Sequence, residues 1–245
     1  MSRRRHCLAM LTCVGALVSA CRPSEPRIPL EAFTTSEGYR TRFAAAEAPL
    51  SEGGKWVTGK AGAVDWADVV TAPGFAHGSQ TGAHTYDDAT ALLTGTWTAD
   101  QMAQAAVRCA NPRDDAYEEV ELRLRSSLAP HVATGYEFNF RCSRTAKAYA
   151  EIVRWNGPIG KFTYLTRGQG AKYGVATGDR IAATAVGDVL TAYINGVPVL
   201  QASDRTFLSG SPGIGFFLEG APGAAADYGV TSFMAANAPA GTRPP

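Results

Sequence analysis

Between Glu118 and Ser127 the chain alternates apolar and polar positions. Val120, Leu122 and Leu124 fall on one side, and Glu119, Glu121, Arg123 and Arg125 on the other. Successive side chains of an extended chain point to opposite faces, so the pattern predicts a half-buried β-strand. Residues 135 to 143 repeat it, with Tyr136, Phe138, Phe140 and Cys142 against Glu137, Asn139 and Arg141. A third run, 148 to 155, keeps Ala150 and Ile152 in phase against Glu151 but sets Val153 and Trp155 on the second face. A large aromatic is therefore expected beside the charged groups. Farther on, Arg180 to Val186, Val189 to Ile194 and Val197 to Gln201 are rich in apolar and β-branched residues and are separated only by Gly187-Asp188 and Asn195-Gly196. Two-residue hairpin turns need φ > 0 at central positions, which Asn and Gly tolerate, so this stretch predicts an antiparallel meander. Strands at 162–166, 213–218 and 228–235 follow the same logic.

The remaining segments are less regular. An opening strand is expected within 31–43, then a Gly53-Gly54-Lys55-Trp56 turn, then long loops with short strands at 66–70 and 86–93. Residues 98–104 read as one helical turn before a strand at Val107. Nothing sustains a long helix. Short strands with turn signals between them and no helices predict an all-β fold, an antiparallel β-sandwich of jelly-roll topology, occupying 31–236 as one domain.

The N-terminus changes the address rather than the fold. Arg3-Arg4-Arg5 precedes a short apolar run ending in small residues, which marks residues 1–20 as an export signal. The run is too short to cross about 30 Å of hydrocarbon as a helix. Val18-Ser19-Ala20-Cys21 resembles the lipobox of bacterial lipoproteins, in which the cysteine is acylated; the resemblance implies a lipid on Cys21 and an outer-membrane or cell-surface anchor. Residues 21–30, rich in proline, then form a tether, and 237–245 a disordered tail. Without the signal the chain has 20 basic and 22 acidic residues, which leaves no nucleic-acid footprint. A monomer is expected. Cys109 and Cys142 remain as a pair on two predicted strands, either two buried thiols or a disulfide; export favours the bridge, worth roughly 3–4 kcal/mol by loop closure.

The closing series Asn195-Gly196, Asp204 and Gly213-Ile214-Gly215-Phe216 resembles the concanavalin A-like lectin/glucanase superfamily, most nearly its laminin-G-like and keto-disaccharide-hydrolase-like exported bacterial domains. The resemblance implies one concave sheet with a glycan across it, and it carries no catalytic residue. On the polar faces of the middle strands Glu121, Arg123, Glu137, Asn139, Arg141 and Arg154 are the expected sugar ligands, with Trp155 and Tyr164 as platforms. The bland counterpart is a solvated sheet face laced by charge pairs. A non-catalytic carbohydrate-binding or surface-recognition module is the leading expectation.

Hydrolysis is the alternative, through a pair drawn from Glu119, Glu121, Glu137 and Glu151, although no Glu-x-Asp occurs and arginines two residues away are expected to keep the acids ionised. A polysaccharide lyase using Arg123, Asn139 and Tyr164 is a third reading. No cofactor is expected beyond a structural Ca2+, for which Asp87 and Asp88 are the candidate ligands against a solvated turn. No zinc or nucleophile-elbow motif is present.

Overall fold

The computed structural model describes residues 38–83 and 88–238. The expected signal peptide, the tether with Cys21, the tail beyond Ala238, and Asp87 lie outside the described residues. The strands are β1 (Gly38–Thr41), β2 (Trp56–Thr58), β3 (Ala67–Ala72), β4 (Phe75–Gly78), β5 (Ala89–Leu93), β6 (Gln101–Cys109), β7 (Tyr117–Ala129) and β8 (Val132–Arg141). They continue as β9 (Tyr149–Gly157), β10 (Phe162–Gln169), β11 (Arg180–Val186), β12 (Val189–Ile194), β13 (Val197–Ser203), β14 (Ser211–Glu219) and β15 (Tyr228–Asn237). Helix among the described residues is confined to two 3-10 turns, Ala171–Tyr173 and Ala225–Asp227. No helix there is long and apolar enough to cross a membrane.

The protein is an all-β sandwich. One sheet runs β15-β6-β11-β12-β13, with β1 and β4 on the free side of β15. The other runs β10-β9-β8-β7-β14-β5, with β2 beside β5. β3 joins them, pairing antiparallel with β4 and parallel with β5, so the sandwich departs from the expected all-antiparallel pairing at that seam. The Asn195-Gly196 hairpin forms as its chemistry requires, with φ of 51° and 79°. Residues 98–100, expected in a helical turn, are not helical, and Gln101 already begins β6, because its side-chain Oε1 accepts from Arg125 N and ties it to the other sheet.

The core lies between the sheets. Val120, Leu122 and Leu124 of β7, Tyr136, Phe138 and Phe140 of β8, Ala150 and Ile152 of β9, and Ile214, Phe216 and Leu218 of β14 meet Ala103, Ala105, Val107, Ile181, Ala183, Leu190, Phe233 and Ala235 of the opposite sheet. Small residues dominate one wall and aromatic ones the other, which lets the layers interdigitate. Cys109, ending β6, and Cys142, just after β8, form a disulfide with Cα atoms 5.7 Å apart. The bridge staples the two layers to each other.

The alternation of β7 breaks once. After Leu124 the register with β8 shifts, and Arg125 takes φ of 48°. Its side chain, expected among the outward charges, instead turns to the sandwich edge, where Nε donates to Ala99 O at 2.7 Å and Nη2 to Gly187 O at 2.8 Å. A bulge inserts one residue and flips the faces beyond it. Arg154 is a second correction. It shares the inward parity of Ala150 and Ile152, and its Nη1 lies 2.5 Å from Asp204 Oδ2, away from Glu151 and Glu137. Asp204 Oδ1 also accepts from the Tyr136 hydroxyl and from Thr206 N, so this aspartate clamps the β13–β14 loop onto the second sheet.

Candidate functional site

The face of the second sheet turned away from the core carries the charged half of the alternation. Cross-strand partners form three rungs on it. The first joins Phe217, Glu119 and Arg141. The second joins Thr90, Gly215, Glu121, Asn139, Glu151 and Arg167. The third joins Leu92, Gly213, Arg123, Glu137, Val153 and Tyr164.

This face is not solvated. Glu121 is 0% exposed and Arg123 3%, with Asp88, Glu119, Glu137 and Glu151 also buried. Part of the cover comes from the loop at residues 59–66, whose Trp66 lies against the Arg123 guanidinium at 4.8 Å and against the Trp155 ring at 4.5 Å. Val64, Trp66, Ala133, Val153 and Trp155 form a small apolar cluster there. Trp155 is therefore a wall rather than an exposed platform, and its Nε1 donates to Glu137 Oε2 at 2.6 Å. Gly215 lets the ion pair lie flat on the sheet: a Cβ there would fall into the Glu121 carboxylate and within 2.8 Å of Arg123 Nη2.

Beside the roofed part lies a small open pocket, with a cavity volume of about 60 Å³. Trp155, Phe162, Tyr164 and Phe217 supply its aromatic lining, and Asp88, Glu119, Glu137, Glu151 and Asn139 its polar lining. Tyr164, 54% exposed, stands at its rim. A second, larger depression, with a cavity volume of about 370 Å³, is lined by Tyr149, Arg141, Arg167 and Asp114 among others. Tyr149 stands beside both, because its hydroxyl donates to Glu119 Oε1. Arg141 faces this second depression and not the first; its guanidinium is spent on the carbonyls of Lys147, Asp114 and Ala116.

The electrostatics are those of too many carboxyls in too little water. Arg123 binds both Glu121, at 2.6 Å, and Glu137. Arg167 reaches Glu151 at 3.0 Å from a half-exposed position. Burial pushes the Glu119 carboxyl well above the usual range, and the nearby Glu151 adds to it against the Tyr149 hydrogen bond. Burial does the same to Glu121, with repulsion from Glu137, despite Arg123. Glu151 is pushed up to about 7, chiefly by burial, with Arg167 opposing and Glu137 assisting. Neighbouring arginines were expected to hold these acids ionised; burial instead pushes all three the other way, because desolvation outweighs a single guanidinium shared among several carboxylates, although Glu121 still lies in its pair with Arg123.

Asp88, expected in a solvated turn, is buried, and its carboxylate lies with those of Glu121 and Glu137 within 4.8 Å of one another. The spacing suits a cation, but Arg123 already supplies one to two of the three carboxylates, which leaves too few free oxygens for the six to eight that Ca2+ takes. Of the residues singled out by sequence, Glu121, Arg123, Glu137, Asn139, Trp155 and Tyr164 do gather on one face, and Arg141 and Arg154 do not join the pocket. Phe162, Phe217 and Arg167 escaped sequence reasoning. The period-two pattern of β14 held the signal for Phe217, which falls in phase with Gly213 and Gly215.

No protein-family model matches the chain, and no curated protein does. Solved structures do. The exoplasmic/lumenal domain of VIP36 in its Ca2+/Man3GlcNAc-bound form is similar with a TM-score of 0.56 at 8% identity, covering 84% of this chain and 93% of that one. The carbohydrate recognition domain of Emp47p gives 0.52 at 11%, covering 87% and 100%. Carbohydrate binding module CBM66 from Bacillus subtilis gives 0.50 at 14%, covering 78% and 97%. At these identities the likeness is one of fold.

Proposed function

We propose that this protein binds a carbohydrate in the pocket between Tyr164 and Glu119, and that it does so outside the cell from a lipid on Cys21. The observation that carries the binding reading is the pairing, in one open pocket, of four aromatic rings with a set of hydrogen-bonding carboxyls. Sugars present apolar faces that rings cover and hydroxyls that planar acceptors bridge, so this lining suits them. The fold supports the reading, since solved structures of similar fold are described as a carbohydrate recognition domain and a carbohydrate binding module. The second depression beyond Tyr149 suits an oligosaccharide longer than one pocket.

Binding to a panel of neutral, acidic and basic glycans, read by calorimetry, tests this. Tyr164→Ala, at an exposed position, is expected to weaken binding at least about tenfold, the loss of a stacking contact worth about 1.4 kcal/mol, with the thermal midpoint unchanged. A flat response to every glycan removes the reading. For the address, Cys21→Ser is expected to move the protein out of the membrane fraction; persistence there counts against acylation.

Glycoside hydrolysis is a second reading, favoured by one observation: Glu119 and Glu151, both raised, share the pocket with Glu137, which Arg123 pairs. A protonated carboxyl near an ionised one is the arrangement such chemistry uses. Release of reducing ends, lost in Glu119→Gln, is its test. A lyase acting on a uronate finds no support. Arg123, cast to neutralise the substrate acid, is buried beneath Trp66 and committed to two glutamates.

A further inference from the structure

The pocket wall is unbalanced in a way that names its occupant's chemistry. The outer face holds five buried carboxyls, Asp88, Glu119, Glu121, Glu137 and Glu151, against two buried guanidiniums, Arg123 and Arg141, the second committed to backbone carbonyls, and one half-exposed, Arg167. Among the described residues, no Lys, Arg or His lines the pocket. The buried N–H donors that do line it are turned to the protein: Trp155 Nε1 to Glu137 at 2.6 Å and Asn139 Nδ2 toward Glu151 at 3.5 Å. At the pocket acceptors are left over; the unmatched donors of this face, Arg123 Nε and Arg141 Nε, belong to residues that do not line it. Asn139, 6% exposed and lining the pocket, has its Oδ1 without a hydrogen-bond partner, and so has Glu121 Oε1 behind it.

A buried acceptor with no donor costs about 1–3 kcal/mol, so an occupant that brings donors relieves a debt already in the empty protein. A neutral sugar hydroxyl can accept from a carboxyl that keeps its proton, but it gains no ion pair there. An ammonium group is donor-only and carries the charge the face lacks. The aromatic rings around it add attraction for a cation as well as for a sugar face. A metal ion would meet the same acceptors, but Arg123 stands where three of the carboxyls converge, and a ring-lined pocket offers a bare ion little. The whole chain has a formal net charge of only +1, so attraction for a cation is local to this face.

From these contacts we infer that the sugar recognised in this pocket is an amino sugar with a free, protonated amine, seated against Glu119, Glu151 and Asn139 with its ring on Tyr164. The inference rests on the proposed carbohydrate-binding function. When the cation arrives, protons held on the carboxyls leave to solvent, so binding is accompanied by net proton release.

The test is calorimetry on the purified protein with four probes of matched length: a glucosamine oligosaccharide, its fully N-acetylated counterpart, a neutral gluco-oligosaccharide, and a polyamine, with Ca2+ alone as a fifth arm. The free amine is expected to bind at least about tenfold more tightly than the acetylated and neutral sugars, with proton release seen as a dependence of the heat on buffer ionisation enthalpy. Glu119→Gln and Glu151→Gln are expected to erase the preference for the free amine; circular dichroism reports whether each variant is folded, and Tyr164→Ala, expected to weaken every sugar alike, serves where they are not. Equal binding of acetylated or neutral sugars overturns the inference and leaves carbohydrate binding standing. Equal binding of the polyamine, or saturable Ca2+ binding that competes with the sugar, overturns it in favour of a simple cation site. Failure of every sugar removes both the inference and the reading beneath it.

Discussion

At Gly215 a single missing methyl group decides the site. The Glu121 carboxylate and the Arg123 guanidinium occupy the volume a side chain would fill, so Gly215→Ala is expected to lift the pair off the sheet and destabilise the fold by about 2–4 kcal/mol, measurable as a lower denaturant midpoint at constant slope. Removing the cation itself is worse. Arg123→Ala strands Glu121 and Glu137 without their shared partner in a buried face, with an expected loss of about 3–5 kcal/mol in the same measurement. The Gly-Ile-Gly-Phe run was visible in the sequence as a family-like signature, yet nothing there said why glycine stands at its third position. The reason lies across the ladder, on β7.

On the scale of elements, β7, β8 and β9 were legible because their side chains obey a period of two against a continuous core. Which residues face together followed directly, including Trp155 beside Glu137. Reasoning from alternation failed where the backbone left the pattern. Arg125 sits in a bulge, which no residue type there announces, and its guanidinium ties the ends of β6 and β7 to the β11–β12 turn through Ala99 O and Gly187 O. Arg125→Ala is expected to cost about 2–3 kcal/mol by orphaning those carbonyls, and amide exchange should quicken at that edge before elsewhere. Arg154 failed for a simpler reason, a parity that groups it with Ile152. The short β3 and β4 were hidden in a loop-rich composition, since a strand of four residues gives too little periodicity to read.

Across the whole molecule, two linkages tie stability to conditions. The Cys109–Cys142 bridge closes 33 residues and joins the layers, so reduction is expected to lower stability by about 3–4 kcal/mol, seen as a drop in the unfolding midpoint with reductant. The pH response follows from Glu151. Its folded-state value, about 7, lies above the ordinary 4.5, so the folded state holds the proton more tightly than the unfolded one. The stability this contributes is complete below about pH 4.5 and is lost as pH rises through about 7. Glu151→Gln is expected to flatten that decline in thermal midpoints measured between those limits.

The sequence by itself determined the class of fold, the faces of its long strands and the Asn195-Gly196 hairpin, because each depends on local steric rules or on a repeating contrast between apolar and polar positions; for Cys109 it left a bridge to Cys142 or two free thiols. Only the tertiary structure decided that the polar face is buried. Burial depends on Trp66, which folds back from a loop more than fifty residues upstream in the chain of the strand carrying Arg123, and on a glycine in a neighbouring strand. Alternation tells which side chains share a surface; it does not tell what comes to lie upon that surface, and the displacement of water there is what makes Glu119 and Glu151 hold their protons more tightly than ordinary surface carboxyls do.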